Sequence, residues 1–181
     1  MVSTGFRVKE RTEFNQYWYS PKTIEAITSE LKSVSGPIAF LSTPSLFFSA
    51  NLPDSVLFDF DASLGNTIPD SFVQYDYRDL STIPEKFLNI FSAIVVDPPF
   101  ITAEVWRAYA SAAAVLWQAS GPRLFLGTTV LENAGLMRDL FGASECLFKP
   151  SIPNLVYQYS LFTNFEMTGV LAGNNAEIPC D

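Results

Sequence analysis

Ala93-Ile94-Val95-Val96-Asp97-Pro98-Pro99-Phe100 is the stretch whose reading decides the fold. Four apolar residues in a row, most of them β-branched, read as a strand covered on both faces, the pattern of a central parallel strand. Asp97 stands at its carboxyl end. Pro98 and Pro99 cannot donate to a sheet ladder, so pairing stops there, and their fixed φ angles hold the next carbonyls in a stiff turn. A carboxylate beside such carbonyls is suited to aim the N–H groups of an amine, with Phe100 as an apolar or cation-binding wall. The plainer alternative is a strand followed by a Pro-Pro turn, and the surrounding sequence has to choose between them.

The rest of the composition narrows the chemistry. With 181 residues the chain fits one domain, and 48% hydrophobic content is ample for a core. Nineteen acidic against eleven basic side chains give a formal charge of −8 and a pI near 4.5. That balance repels phosphate backbones and favours cationic partners, so nucleic acid is disfavoured. There is no histidine, which removes Ser-His-Asp and Cys-His catalysis, His-ligated metals and an imidazole pH switch. Cys146 and Cys180 offer neither a metal cluster nor a disulfide framework and read as structural thiols in a reducing compartment. No apolar run approaches the ~20 residues of a membrane span, and the first residues lack a signal-peptide core; a cytoplasmic chain is the expectation.

Residues 1–19 read as an irregular, aromatic-rich arm, residues 20–165 as the folded domain, and residues 166–181, rich in Gly, Asn, Ala and Pro, as a disordered tail. Ser20 and Pro21 occupy N-cap and first-turn positions of a helix whose apolar face is Ile24, Ile27, Leu31 and Val34, with Gly36 and Pro37 ending it. Strands are expected at 38–41, 56–60, 72–75, 93–96 and 123–126. Val105, Trp106, Tyr109, Ala113, Leu116 and Trp117 recur at helical spacing. A further helix is expected over 129–140, then two β-rich stretches near 145–149 and 155–163 that form an antiparallel hairpin at the sheet edge. The whole reads as an α/β fold, a mostly parallel sheet with one antiparallel strand and helices on both faces.

In open α/β sheets ligands sit beyond the carboxyl ends of the strands, where strand order reverses. The first strand ends in Ser42, Thr43 and Ser45, whose hydroxyls and neighbouring amides suit a ligand carboxylate. The second ends in Asp59 and Asp61, placed for the paired hydroxyls of a ribose, or else a solvated strand end. The third leads into Asp76 and Tyr77, a carboxylate for an exocyclic amine and a ring to stack on a base. The fourth ends in Asp97. Acidic groups after successive strands are more specific than any one alone.

Those residues carry a resemblance. Gln16-Tyr17-Trp18-Tyr19-Ser20, Leu41-Ser42-Thr43-Pro44-Ser45, Leu57-Phe58-Asp59-Phe60-Asp61, Tyr75-Asp76-Tyr77, Val96-Asp97-Pro98-Pro99-Phe100 and Asn154-Leu155 stand in the order found in the elongation factor 1-alpha lysine methyltransferases, once grouped with N6-adenine methyltransferases. The chain resembles that family from about Asn15 to Asn164. The resemblance implies a Rossmann-like class I methyltransferase fold with a seven-stranded sheet, S-adenosylmethionine as donor, and a lysine ε-amine of elongation factor 1-alpha as acceptor. It further implies catalysis at Asp97, Pro98, Pro99 and Phe100, and a substrate-binding sleeve of Phe100, Trp18 and Tyr19 with Asn154, although core packing is the competing role for the aromatics. Two departures stand out: Ser-Thr-Pro-Ser replaces the Gly-rich loop of most such enzymes, as in the family itself, and residues 150–154 lack the basic side chains usual there. An N6-adenine enzyme and a catalytically silent scaffold are the alternatives. If Asp59 holds ribose hydroxyls, Asp59→Ala weakens donor affinity more than the chemical step; an unchanged dissociation constant by calorimetry moves that role to Asp61 or elsewhere.

Overall fold

A computed structural model describes residues 9–179. Seven strands form one sheet in the order β3-β2-β1-β4-β5-β7-β6: β1 (Ile38–Leu41), β2 (Val56–Asp59), β3 (Phe72–Gln74), β4 (Ala93–Val96), β5 (Leu124–Thr129), β6 (Ser144–Glu145) and β7 (Ser160–Thr163). Only β7 runs against its neighbours, pairing antiparallel with both β5 and β6. The expected α/β architecture is therefore present. Among the described residues the α-helices are α1 (Pro21–Leu31), α2 (Pro44–Ala50), α3 (Ala103–Leu116) and α4 (Ala134–Phe141).

Strand alternation divides the core between the two faces. Ile94 and Val96 of β4 pack with Trp106, Ala113 and Phe141 of α3 and α4, while Ala93 and Val95 face Ile27, Leu31 and Leu46 of α1 and α2. A strand buried on both faces needs both registers apolar, which is why 93–96 shows no polar alternation. Trp106 is fully enclosed, and its ring meets Phe141 edge-on at 5.9 Å; such pairs add about 0.5–1.5 kcal/mol beyond burial.

The strand order makes the site. From β1 the chain winds outward through β2 and β3, then returns to place β4 on the other side of β1, with Leu41 opposite Val96. The connections at the carboxyl ends of β1 and β4 diverge from this line, and a crevice opens between them. Ser42 and Asp97 are the first residues past the two strands, and the Asp97 amide still donates to the Leu41 carbonyl at 3.2 Å.

Several expectations need correction. Helix α1 ends at Leu31 rather than near Gly36; the Ser33 hydroxyl donates to the Glu30 carbonyl at 2.6 Å and its amide does so at 3.0 Å, a competing local bond that closes the helix early. Residue 129 does not begin a helix: β5 runs through Thr129 because Thr128 and Thr129 pair with Leu161 and Ser160, and β-branched residues favour that pleated surface. The last two strands are shorter than expected, since Pro150 and Pro153 keep the segment before β7 out of a ladder.

The expected disorder of 166–181 is also corrected, over residues 166–179. Thr168 donates its amide and hydroxyl, each at 3.0 Å, to the buried Glu30 carboxylate. Leu171, on the short 3-10 turn Gly169–Ala172, is 1% exposed in the α1 layer, and Asn175 donates to the Lys149 carbonyl at 2.9 Å. A turn-forming composition here coexists with order, because a buried leucine, the Glu30 acceptor and Asn175 hold the segment. The Cys180 reading and positions 180–181 and 1–8 lie outside the described residues. Leu171→Ala is expected to cost ~2–5 kcal/mol in chemical denaturation, and truncation after residue 166 to lower the thermal midpoint; an unchanged midpoint contradicts a packed tail.

Candidate active site

The fourth strand delivers Asp97 into a narrow place. The register that sets Val96 opposite Gly127 on β5 puts Thr128 on the next rung, and its hydroxyl donates to Asp97 Oδ1 at 2.8 Å. Thr128 in turn lies 2.6 Å from the Tyr19 hydroxyl. Burial pushes the Asp97 carboxyl up to about 7, against the lowering effect of hydrogen bonds from Thr128 and Tyr19. Among the described residues Asp97 forms no ion pair. Pro98 is buried, the Pro99 carbonyl accepts from the Asn15 side chain, and Phe100, 53% exposed, stands at the rim. The Pro99 acceptor is thus partly engaged by the arm rather than reserved for a ligand.

Asp97 opens onto a cleft of about 240 Å³, just below the ~300–1,000 Å³ usual for small-molecule sites. Ser42, Asp59, Asp76, Tyr77, Trp18 and Phe100 also line it, so the structure brings together residues from the ends of four strands and from the arm. Ser42 adopts φ 55, a left-handed conformation that favours glycine, and bonds Tyr109 at 2.7 Å. Asp59 is 6% exposed and accepts the Asp61 amide at 2.9 Å; burial pushes its carboxyl up to about 7. Asp76 is held by Arg78 at 2.6 Å, whose hydrogen bond lowers the carboxyl below its usual range. Tyr77 stacks on Tyr109, centroids 5.8 Å apart.

Other expected site residues lie elsewhere. Thr43, the N-cap of α2, and Ser45 in its first turn are buried, outside the cleft lining. Asp61 Oδ1 accepts from Arg11 at 3.0 Å and from the Ser63 amide and hydroxyl, a tether for the arm, while Oδ2 is buried without a partner outside the cleft lining. Tyr19, 4% exposed, lies behind Asp97 instead of forming a sleeve. Asn154 reaches Glu10 at 2.7 Å, and that same carboxylate accepts the Trp18 amide at 2.7 Å; its work is to hold the arm. Sequence reasoning missed Tyr159, Tyr109, Thr128 and Tyr75, because each belongs to a core pattern locally and only the fold turns it toward the corner. Tyr159 is pushed up to about 12, by burial first and then by Asp97 and Tyr17.

Two observations fit an adenosyl donor here. The Tyr75 hydroxyl is buried at the cleft wall without a hydrogen-bond partner, a state that a ligand polar group would relieve. Asp59 adds a recessed carboxylate one strand away from the corner, positioned to accept from hydroxyls. Asp59 and Tyr75 would hold the sugar side of such a donor, with Tyr77 as a stacking surface.

Sheet order, crevice and acidic strand ends define a Rossmann-like, class I methyltransferase. The family model described as "Probable N6-adenine methyltransferase" matches residues 10–167, and the chain belongs to that family. A protein-lysine N-methyltransferase of Caenorhabditis elegans is 25% identical over 177 residues, spanning 88% of this chain and 80% of that protein. The EEF1A lysine methyltransferase 1 of Danio rerio is 29% identical over 165 residues, 84% of this chain and 96% of the relative. In fold, the chain is similar to the branched-chain polyamine synthase of Thermus thermophilus, with a TM-score of 0.65 at 12% identity over 93% of this chain and 64% of that one.

A carboxyl raised in the folded state binds its proton more tightly there than in the unfolded chain, so stability falls as pH rises from the ordinary carboxyl value near 4 to the folded value near 7. Asp59→Asn keeps an acceptor for the Asp61 amide and removes that charge. The variant is expected to lose about 2–3 kcal/mol less than the parent between pH 5 and pH 8 in denaturant titrations. Parallel pH curves for the two proteins would contradict an Asp59 raised by burial.

Proposed function

We propose that this protein transfers a methyl group from S-adenosylmethionine to the ε-amine of a lysine in a protein, with elongation factor 1-alpha as the favoured substrate. The observation that carries the reading is the half-buried Asp97, held by Thr128 and opening onto an aromatic-lined cleft. The lysine specificity of the relatives supports it, as does a chain charge of −8 that attracts a cationic segment.

The donor supplies an electrophilic methyl on a sulfonium. What the chain supplies is alignment and dryness. Asp97 accepts an N–H of the incoming amine and turns its lone pair into the cleft, while Phe100, Trp18 and Tyr159 enclose the aliphatic stem and exclude water. Lysine's ordinary pKa of ~10.4 leaves a handicap of about 4–5 kcal/mol at pH 7, because the neutral amine is rare. An Asp97 titrating at about 7 narrows the gap relative to an ordinary carboxyl and makes it a better proton acceptor. Desolvation of the ammonium in the cleft works in the same direction.

The acidic surface also separates this reading from methylation of DNA or RNA. Among the described residues the cleft lining offers Arg78 as its basic side chain, and Arg78 is paired with Asp76; a phosphate backbone needs a run of such charges. Incubation with labelled S-adenosylmethionine, purified elongation factor 1-alpha, DNA and RNA is expected to place label on a protein lysine. Label on nucleic acid alone would reverse the assignment. Asp97→Asn is expected to reduce turnover on the order of 10²–10⁴-fold while calorimetric affinity for S-adenosylhomocysteine changes little; near-normal turnover removes Asp97 from the reaction.

A further inference from the structure

We propose that Thr128 and Tyr19 are positioning residues for Asp97, a hydrogen-bonded relay that ties the root of the arm through β5 to the acceptor-binding carboxylate. The inference rests on the assignment of the acceptor amine to Asp97. Its direction follows from proton counting. A threonine hydroxyl carries one proton, and Thr128 gives it to Asp97 Oδ1 at 2.8 Å. With Asp97 ionised and the Thr128 proton donated to it, the 2.6 Å contact between Tyr19 and Thr128 is donated by the tyrosine, whose hydroxyl also lies close enough to lower the Asp97 carboxyl. Asp97 Oδ1 is thereby fixed.

Each member is held by structure that does not depend on the other two. Thr128 is fully buried in the β5–β7 ladder, opposite Leu161. Tyr19 is anchored by the next residue: Ser20 caps α1 by accepting the Thr23 amide at 3.1 Å, and its own amide donates to the Ser151 carbonyl at 2.8 Å. The relay is therefore a fixed strut. The other titratable groups around Asp97 are Tyr159, on the segment entering β7, and Tyr109 of α3, which bonds Ser42. These phenols are raised by burial and stay neutral at pH 7. Among the described residues no cation pairs with Asp97, so donated hydrogen bonds compensate its charge.

A purely structural threonine and tyrosine would alter stability when replaced, but not the titration of Asp97. The test is the pH–rate profile together with a carbon-detected NMR titration of the Asp97 carboxyl, for the parent, Thr128→Val, Thr128→Ser and Tyr19→Phe. Thr128→Val is expected to move the Asp97 titration and the acid limb upward by about one pH unit. Tyr19→Phe should move both in the same direction by less, and Thr128→Ser should restore the parental values. A parental titration in Thr128→Val, or in Tyr19→Phe if the valine variant fails to fold, overturns the relay. Activity retained in Asp97→Asn would instead strike at the acceptor assignment, and the NMR titration, which needs no turnover, would still decide the relay.

Discussion

A carboxylate placed where a hydrophobic strand runs out is the constraint around which this molecule is arranged. Ionised carboxylates resist removal from water, and an uncompensated one would shift its proton equilibrium or disrupt the packing beneath it. Here Asp97 follows four apolar residues of the central strand, and Asp59 ends the strand two places across the sheet. Both are pushed to about 7 by burial. The fold tolerates them because each meets a fixed donor: Thr128, set beside Asp97 by strand register, and the Asp61 amide, turned back on Asp59 two residues along the chain. A site poised near neutrality follows from sheet geometry, with no ion pair on either group among the described residues.

The arm completes the enclosure in two unequal parts. Its outer portion is pinned by Arg11 on Asp61, Glu10 on the Trp18 amide and Asn154, and Asn15 on the Pro99 carbonyl. Glu10, Asn154 and Asn15 are at most half-buried, whereas the Asp61 carboxylate that Arg11 meets is 2% exposed. The root is different: Tyr19 and Ser20 are both 4% exposed and bonded into the sheet and helix α1.

How much of this could be read from the residues depends on how local the cause is. Strands β1 and β4 carry the bounds expected of them because apolar runs closed by Gly-Pro or Pro-Pro leave little freedom. The capped start of α1 was legible for the same reason. Asp97, Asp59, Asp76, Tyr77, Trp18 and Phe100 do meet at one cleft, as acidic and aromatic groups after successive strands implied. What was not legible depends on partners far away in sequence. Asp61 looks equivalent to Asp59 until Arg11 is brought across 50 residues, and Asn154 looks like a site residue until Glu10 meets it from 144 residues away. Tyr19 and Trp18 are adjacent aromatics, and only the fold shows that one lines the cleft while the other supports its floor. Thr128 gave no signal at all, since a threonine in a strand is unremarkable until the register sets it beside Asp97.

The most direct measurement of the central claim is a crystal structure with S-adenosylhomocysteine and a lysine peptide bound. The account predicts the sulfur beside the Ser42–Asp97 corner, the ribose hydroxyls on Asp59, and the ε-nitrogen hydrogen-bonded to the Asp97 carboxylate. A ligand seated away from that crevice, or a lysine nitrogen out of reach of Asp97, would contradict it.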